Sequence, residues 1–192
     1  NEKQAQFFST VMTEISGRGV GLRYFAYGGS IRGGKTYVCL FILILLAKKY
    51  PRSRWHVVRA TDTIMRETSV QSFLKLAPAG VTIRYSPMVR ATFPNGSTIT
   101  FFSENISADR DLKRFLGLET NGFLIEQAEE IDEKTWEKTK QRVGSWTLPP
   151  GQMPPAIILA TFNPNDGWSR NVWYEPYQNN TLKAPYFYLP AL

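Results

Sequence analysis

The apolar run Val38 to Ala47, VCLFILILLA, constrains this chain more than any other segment. A surface helix keeps a polar face at a period of 3.6 residues, and this run has none until Lys48 and Lys49 close it. It is roughly half the ~20 residues that a bilayer-spanning helix needs. It therefore reads as a helix inside a protein core, ended by Pro51. Cys39, the one cysteine, lies within the run and is expected to pack as a small hydrophobe. A lone cysteine also excludes an internal disulfide and a cysteine-based zinc site. Directly before the run stands GGSIRGGKT, a turn of glycines and cations. It is either a bland loop before a buried helix or a phosphate cradle at a helix N-terminus.

The surrounding pattern bears on that choice. Leu22 to Gly28 (LRYFAYG) reads as a strand, the glycine-rich turn follows, and the helix runs from about Gly34 to Tyr50. RWHVVRA is a second strand, and Thr61 or Asp62 caps a helix through TIMRETSVQSFLKLA that Pro78 and Gly80 stop. VTIRYS and RATFPNGSTITFFS alternate in polarity, with Asn95-Gly96 marking a hairpin. A short polar helix around SADRDLKRFLG leads to the strand Phe123 to Ile125, which runs into acidic residues. A helix through EKTWEKTKQRV and a buried strand in PPAIILATFNPN complete the order.

Strands alternating with helices predict an α/β fold with a mainly parallel sheet, helices on both faces and one antiparallel hairpin. In such sheets ligands bind beyond the carboxyl ends of the strands. Three polar clusters fall there: Gly29 to Thr36, Glu126 to Glu130, and Thr161 to Asn163. The length of 192 residues suits one domain over 1–192, and 43% hydrophobic with 20% charged residues excludes a disordered or fibrous chain. A net charge of +7 favours a polyanionic partner such as nucleic acid. The opening NEKQAQFFSTVMTEISG is polar and amphipathic and does not resemble a signal peptide.

GSIRGGKT fits G-x-x-x-x-G-K-[ST] residue for residue, with a strand before it and a helix after it. Gly29, Gly33 and Gly34 allow the backbone, Ser30 included, to turn successive N–H groups toward phosphate oxygens. The helix dipole adds positive charge at the same place. Lys35 is then expected to reach the β- and γ-phosphates of ATP, and the Thr36 hydroxyl to bind Mg²⁺. Arg32 either touches the γ-phosphate or sits in solvent.

A phosphate loop also needs a carboxylate across the sheet for Mg²⁺ and a group that orients the attacking water. FLIEQAEEI supplies them at a strand end. Glu126 is expected in the Mg²⁺ role. Gln127 stands where a catalytic glutamate is expected; glutamine orients water but accepts no proton. Glu129 and Glu130 share the face of Glu126 if a helix starts there, or form a solvated acidic helix start. Thr161 and Asn163 in ATFNPN either sense the γ-phosphate or the attacking water, or belong to an Asn-Pro turn.

Taken together these residues resemble the ATPase domain of the large terminase subunit of tailed bacteriophages and related viruses. GGSIRGGKT is similar to that family's phosphate loop, FLIEQAEEI to its strand followed by two acids and alanine, and TFNP to its coupling motif. EKQAQFF resembles the segment before the first strand, which implies Gln4 at the adenine. The resemblance implies a RecA-like P-loop (ASCE) NTPase, and a motor that drives double-stranded DNA into an empty capsid. It implies a homo-oligomeric ring on a portal protein, a small terminase subunit as partner, no membrane, and work in the host cell cytoplasm. It also implies an arginine reaching a neighbour's nucleotide, for which Arg114 matches first and Arg110 second. Relatives carry a C-terminal nuclease domain; this chain stops before one fits, so nuclease activity is not expected from it. Gln127 departs from the family pattern, and is either native, with Glu126 or Glu130 activating water, or a replacement that traps ATP.

His56 is the only histidine, which excludes a histidine metal site or a Ser-His-Asp triad and favours a structural role. Trp136, Trp146, Trp168 and Trp173 are expected to pack. Lys134, Lys138, Lys140 and Arg142 either meet nucleic-acid phosphates or form a solvated helix face. Two other functions fit a phosphate loop: a helicase or recombination ATPase on single strands, and a nucleotide-dependent assembly module with little turnover.

Overall fold

The computed structural model describes residues 1–29, 34–104, 109 and 111–191. Its helices are α1 (Glu2–Ile15), α2 (Lys35–Lys49), α3 (Asp62–Ile64), α4 (Gln71–Leu76), α5 (Lys113–Leu116), α6 (Glu133–Arg142) and α7 (Glu175–Gln178). The strands are β1 (Tyr24–Gly29), β2 (Arg54–Arg59), β3 (Thr82–Arg84), β4 (Val89–Thr92), β5 (Thr98–Ser103), β6 (Gly122–Glu126), β7 (Ile157–Phe162) and β8 (Tyr186–Ala191). They form an eight-stranded sheet in the order β3-β4-β5-β2-β6-β7-β1-β8. From β5 to β8 every neighbouring pair is parallel, and β3 and β4 add an antiparallel end.

Alternation along the central strands divides the core in two. Phe25, Tyr27, Trp55, Val57, Leu124 and Leu159 face one layer with α1, α2 and α4. Ala26, Val58, Phe123, Ile125, Ile158 and Ala160 face the other, with α5 and α6. Both faces are covered, which is why these strands read as nearly continuous apolar runs. The apolar run becomes α2, with Cys39 fully buried and burial spread around the helix. Asn95-Gly96 makes the turn between β4 and β5, with Gly96 at φ 81°. Among the described residues no helix is long and apolar enough to cross a membrane.

Helices α1 and α7 have no counterpart in the sequence reading, and three further elements differ from it. The segment from Asp62 to Leu76, capped by the Thr61 side chain, carries a π-helical turn over Met65–Val70 between α3 and α4. The polar helix before β6 is described only over Lys113–Leu116; Arg110 lies outside the described residues. Strand β8 has no counterpart in that reading; it is a sheet edge, where Pro190 is tolerated.

Trp136 and Trp173 are fully packed, with Trp168 stacked on Trp136 at 5.6 Å. His56 is buried in β2 against Phe102 and Phe123, its Nδ1 2.9 Å from Thr120 Oγ1. Burial, with the nearby Arg90 and Arg54 charges, lowers its pKa from 6.5 to about 3. Between these values the unfolded chain binds a proton that the folded chain refuses. Stability is therefore complete above pH 6.5 and falls as the pH drops toward 3. By pH 5 the loss from this group is expected to be about 2 kcal/mol. Urea unfolding from pH 7 to 5 checks it; a His56→Leu variant should show a flatter profile.

Candidate nucleotide site

The site lies where β1, β6 and β7 end side by side. Strand β1 stops at Gly29, whose φ of 120° excludes other residues and whose added Cβ would stand 2.3 Å from Ala191 O. Ser30, Arg32 and Gly33 lie outside the described residues. Gly34 then opens α2 in the left-handed region at φ 67°. A Cβ there would fall 1.9 Å from Gln4 Nε2, and that same amide donates to Gly34 O at 3.1 Å. Gln4, in the first turn of α1, therefore braces the N-terminal end of α2.

Lys35 Nζ donates to Gly29 O at 2.7 Å and to Asn163 Oδ1 at 3.3 Å. Burial holds its ammonium below the usual lysine value, while the Glu129 charge opposes that shift. The Thr36 hydroxyl donates to Glu126 Oε1 at 2.7 Å. Glu126, the buried last residue of β6, also accepts from Ser69 at Oε2. The first turn of the apolar helix and the acidic strand end thus meet on one rim of the sheet.

Beyond Glu126 the chain turns sharply. Gln127 adopts φ 52°, a left-handed conformation uncommon for glutamine, and its N–H donates to Thr161 Oγ1 at 3.1 Å. The Thr161 hydroxyl is thereby tied to this turn. A 3₁₀ turn over Ala128–Glu130 follows. Because of the two turns, Glu129 and Glu130 do not share the face of Glu126, contrary to the helix-start expectation. Glu129 Oε1 instead accepts from Asn163 N at 3.1 Å and Asn163 Nδ2 at 2.8 Å. Burial pushes the Glu129 carboxyl above its usual value, with the Asn163 bonds opposing. Glu130 Oε2 pairs with Arg59 Nη1 at 3.3 Å, and its Oε1 accepts from Gln127 Nε2 at 3.1 Å.

These bonds form two sets on one rim: Lys35 with Asn163 and Glu129, and Thr36 and Glu126 with Glu130, Gln127 and Thr161, the latter linked by Arg59 Nη1 at 3.5 Å from Glu126 O. Arg114 belongs to neither set. Its Nη1 donates to Ser103 O at 2.8 Å and its Nε lies 3.5 Å from Asp109, at the end of β5, which β2 separates from β6. Ser69 and Arg59 are missing from the sequence reading. A weak signal existed for Ser69, which falls four residues after Met65 and four before Phe73 on a buried stripe. Arg59 showed itself only as a charge ending an apolar strand.

The donor set suits a polyphosphate with a hard cation. An ammonium and a helix N-terminus face the strand ends, and a hydroxyl touches a buried carboxylate beside them. Among the described residues no group of three or more His, Cys, Asp and Glu side chains converges to hold a metal. One carboxylate and one hydroxyl fit Mg²⁺, which keeps several waters and is commonly bound through phosphates.

No protein-family model matches the chain, and no curated protein matches it by sequence. Solved structures match by shape. The large terminase of a thermophilic bacteriophage is similar over 98% of this chain and 44% of its own, with a TM-score of 0.71 at 14% identity. The same terminase in complex with ATP-γ-S gives a TM-score of 0.65 at 16% identity, again over 98% and 44%. The large terminase ATPase domain of Thermus phage P74-26 is similar over 90% of this chain and 76% of its own, with a TM-score of 0.57 at 15% identity. This chain thus spans less than half the length of the first of these terminases, and it has the RecA-like fold of large-terminase ATPase domains.

Proposed function

We propose that this chain is the ATPase motor domain, spanning residues 1–192, of a viral large terminase, and that it hydrolyses ATP to move double-stranded DNA into a procapsid. The observation that carries this reading is the 2.7 Å bond between Thr36 and Glu126, which joins the phosphate-loop helix to the acidic strand end. The complex of the thermophilic phage's large terminase with ATP-γ-S supports nucleotide binding in this fold.

In this reading Lys35 exchanges its bonds to Gly29 O and Asn163 for phosphate oxygens. Gly29, Ser30, Arg32, Gly33 and Gly34 form the turn around them, and Gln4 lies beside the adenine. Thr36 and Glu126 hold Mg²⁺, which when bound neutralises charge on the phosphate oxygens. Gln127 donates its Nε2 to Glu130, which leaves its Oε1 to accept a hydrogen bond from the attacking water. An amide orients water without taking its proton, so slow turnover is expected. Asn163 contacts both Lys35 and Glu129 and so links the phosphates to the end of β7. Arg114, half-exposed at the same rim, is the residue proposed to reach a neighbour's nucleotide in a ring on a portal protein. The small terminase subunit is the other partner, and the host cell cytoplasm the place of action.

Steady-state ATP turnover with added nucleic acid tests the proposal. Duplex DNA is expected to raise turnover several-fold and single-stranded DNA to leave it unchanged. Stimulation by single strands alone would make the chain a helicase-type or recombination ATPase. Tight ATP binding without turnover, with DNA and partner subunits present, would make it an assembly module.

A further inference from the structure

We infer that Ser69 is a positioning residue that fixes the carboxylate of Glu126 for Mg²⁺, an inference that rests on the nucleotide reading above. Ser69 is fully buried on the stripe formed with Met65, Val70 and Phe73, which packs into the apolar core. A hydroxyl in such a wall needs a partner, and its partner is Glu126 Oε2. The contrast with its neighbour is informative. Thr68 takes the usual course of a mid-helix hydroxyl and donates back to Ile64 O at 2.7 Å. Ser69 instead points away from its own helix, across to the end of β6.

The π-helical turn accounts for that direction. It covers Met65–Val70, between the Thr61-capped start of α3 and the regular turn of α4. The wider turn changes the angle at which side chains leave the helix, and such turns concentrate at functional sites. Here it sets one hydroxyl against the carboxylate placed to face the phosphates.

Glu126 consequently accepts one hydroxyl at each oxygen, Thr36 at Oε1 and Ser69 at Oε2. The last torsion of a glutamate is broad and roughly two-fold when nothing holds it. One hydrogen bond leaves the carboxylate able to swing about the bonded oxygen, and a second at the other oxygen fixes its plane. Thr36 can donate to Oε1 while its lone pairs remain free for the cation. Ser69 needs no contact with nucleotide or metal to act in this way. Loss of a partner that orients a metal-binding group typically weakens metal affinity by about 10–100-fold.

The test is the Mg²⁺ dependence of binding of a fluorescent, non-hydrolysable ATP analogue to this chain. Ser69→Ala is expected to raise the Mg²⁺ midpoint by about tenfold or more, with affinity in EDTA unchanged. Ser69→Thr keeps the hydroxyl despite an added methyl group and is expected to hold a near-parental midpoint. An unchanged midpoint in Ser69→Ala would overturn the inference. So would variants ranked by side-chain volume, or an equal loss with and without Mg²⁺, since either describes packing alone. A parent chain that binds no analogue at all would remove the nucleotide reading and Ser69's role with it. A parent chain that binds equally well with and without Mg²⁺ would remove the role of Glu126 and Ser69 while leaving nucleotide binding in place.

Discussion

Lys35→Ala should weaken ATP binding by about a hundredfold and remove measurable turnover. Lys35 is the described cation at the head of α2, and its ammonium bonds both the last carbonyl of β1 and Asn163 of β7. A hydrogen bond between charged groups contributes about 1.5–3 kcal/mol, and about 2.7 kcal/mol at 25 °C is a hundredfold. The fold should survive, because α2 is held by its apolar residues rather than by Lys35. Calorimetric titration with ATP, alongside a melting curve, separates the two effects. Undiminished turnover would remove this loop from the reaction.

Gln127→Glu should act in the opposite direction, raising turnover by roughly a hundredfold with little change in ATP affinity. A positioned general base contributes about 10²–10⁴-fold, and in the proposed function glutamine at this position supplies only orientation. The substitution leaves the left-handed turn intact, because glutamate strains it no more than glutamine does. The new carboxylate would stand beside Glu130, which now accepts the Gln127 amide at 3.1 Å. Two carboxylates so close raise the pKa of one of them. Arg59, paired with Glu130 at 3.3 Å, offsets the repulsion. Turnover of the variant should therefore fall toward acidic pH as the new base protonates, beginning at a higher pH than any fall in the parent. Unchanged turnover would assign the proton to Glu126 or Glu130 and make Gln127 a native water-orienting residue.

The strands were legible because a sheet buried on both faces requires long apolar runs, and the hairpin because Asn-Gly suits its turn. The pairing of Thr36 with Glu126 followed from the same logic, since parallel strands deliver their polar ends to one rim. The directions taken by Glu129 and Glu130 were not legible. They depend on Gln127 entering the left-handed region, which nothing in glutamine announces. Ser69 was hidden because serine in a helix commonly bonds its own backbone, and only the π-helical turn redirects it. Strand β8 was missed because Pro190 speaks against a strand, and only its edge position reverses that argument.

The three indoles of Trp136, Trp168 and Trp173 lie 4.9–5.7 Å apart, centre to centre. Trp168 follows the Asn163 strand end and donates to Ile131 O at 2.6 Å, just past Glu130. The loops leaving β6 and β7 are thus riveted together by chromophores. Any shift of one loop against the other must alter energy transfer and quenching within that cluster, so the protein carries its own emission signal for events at this rim of the sheet.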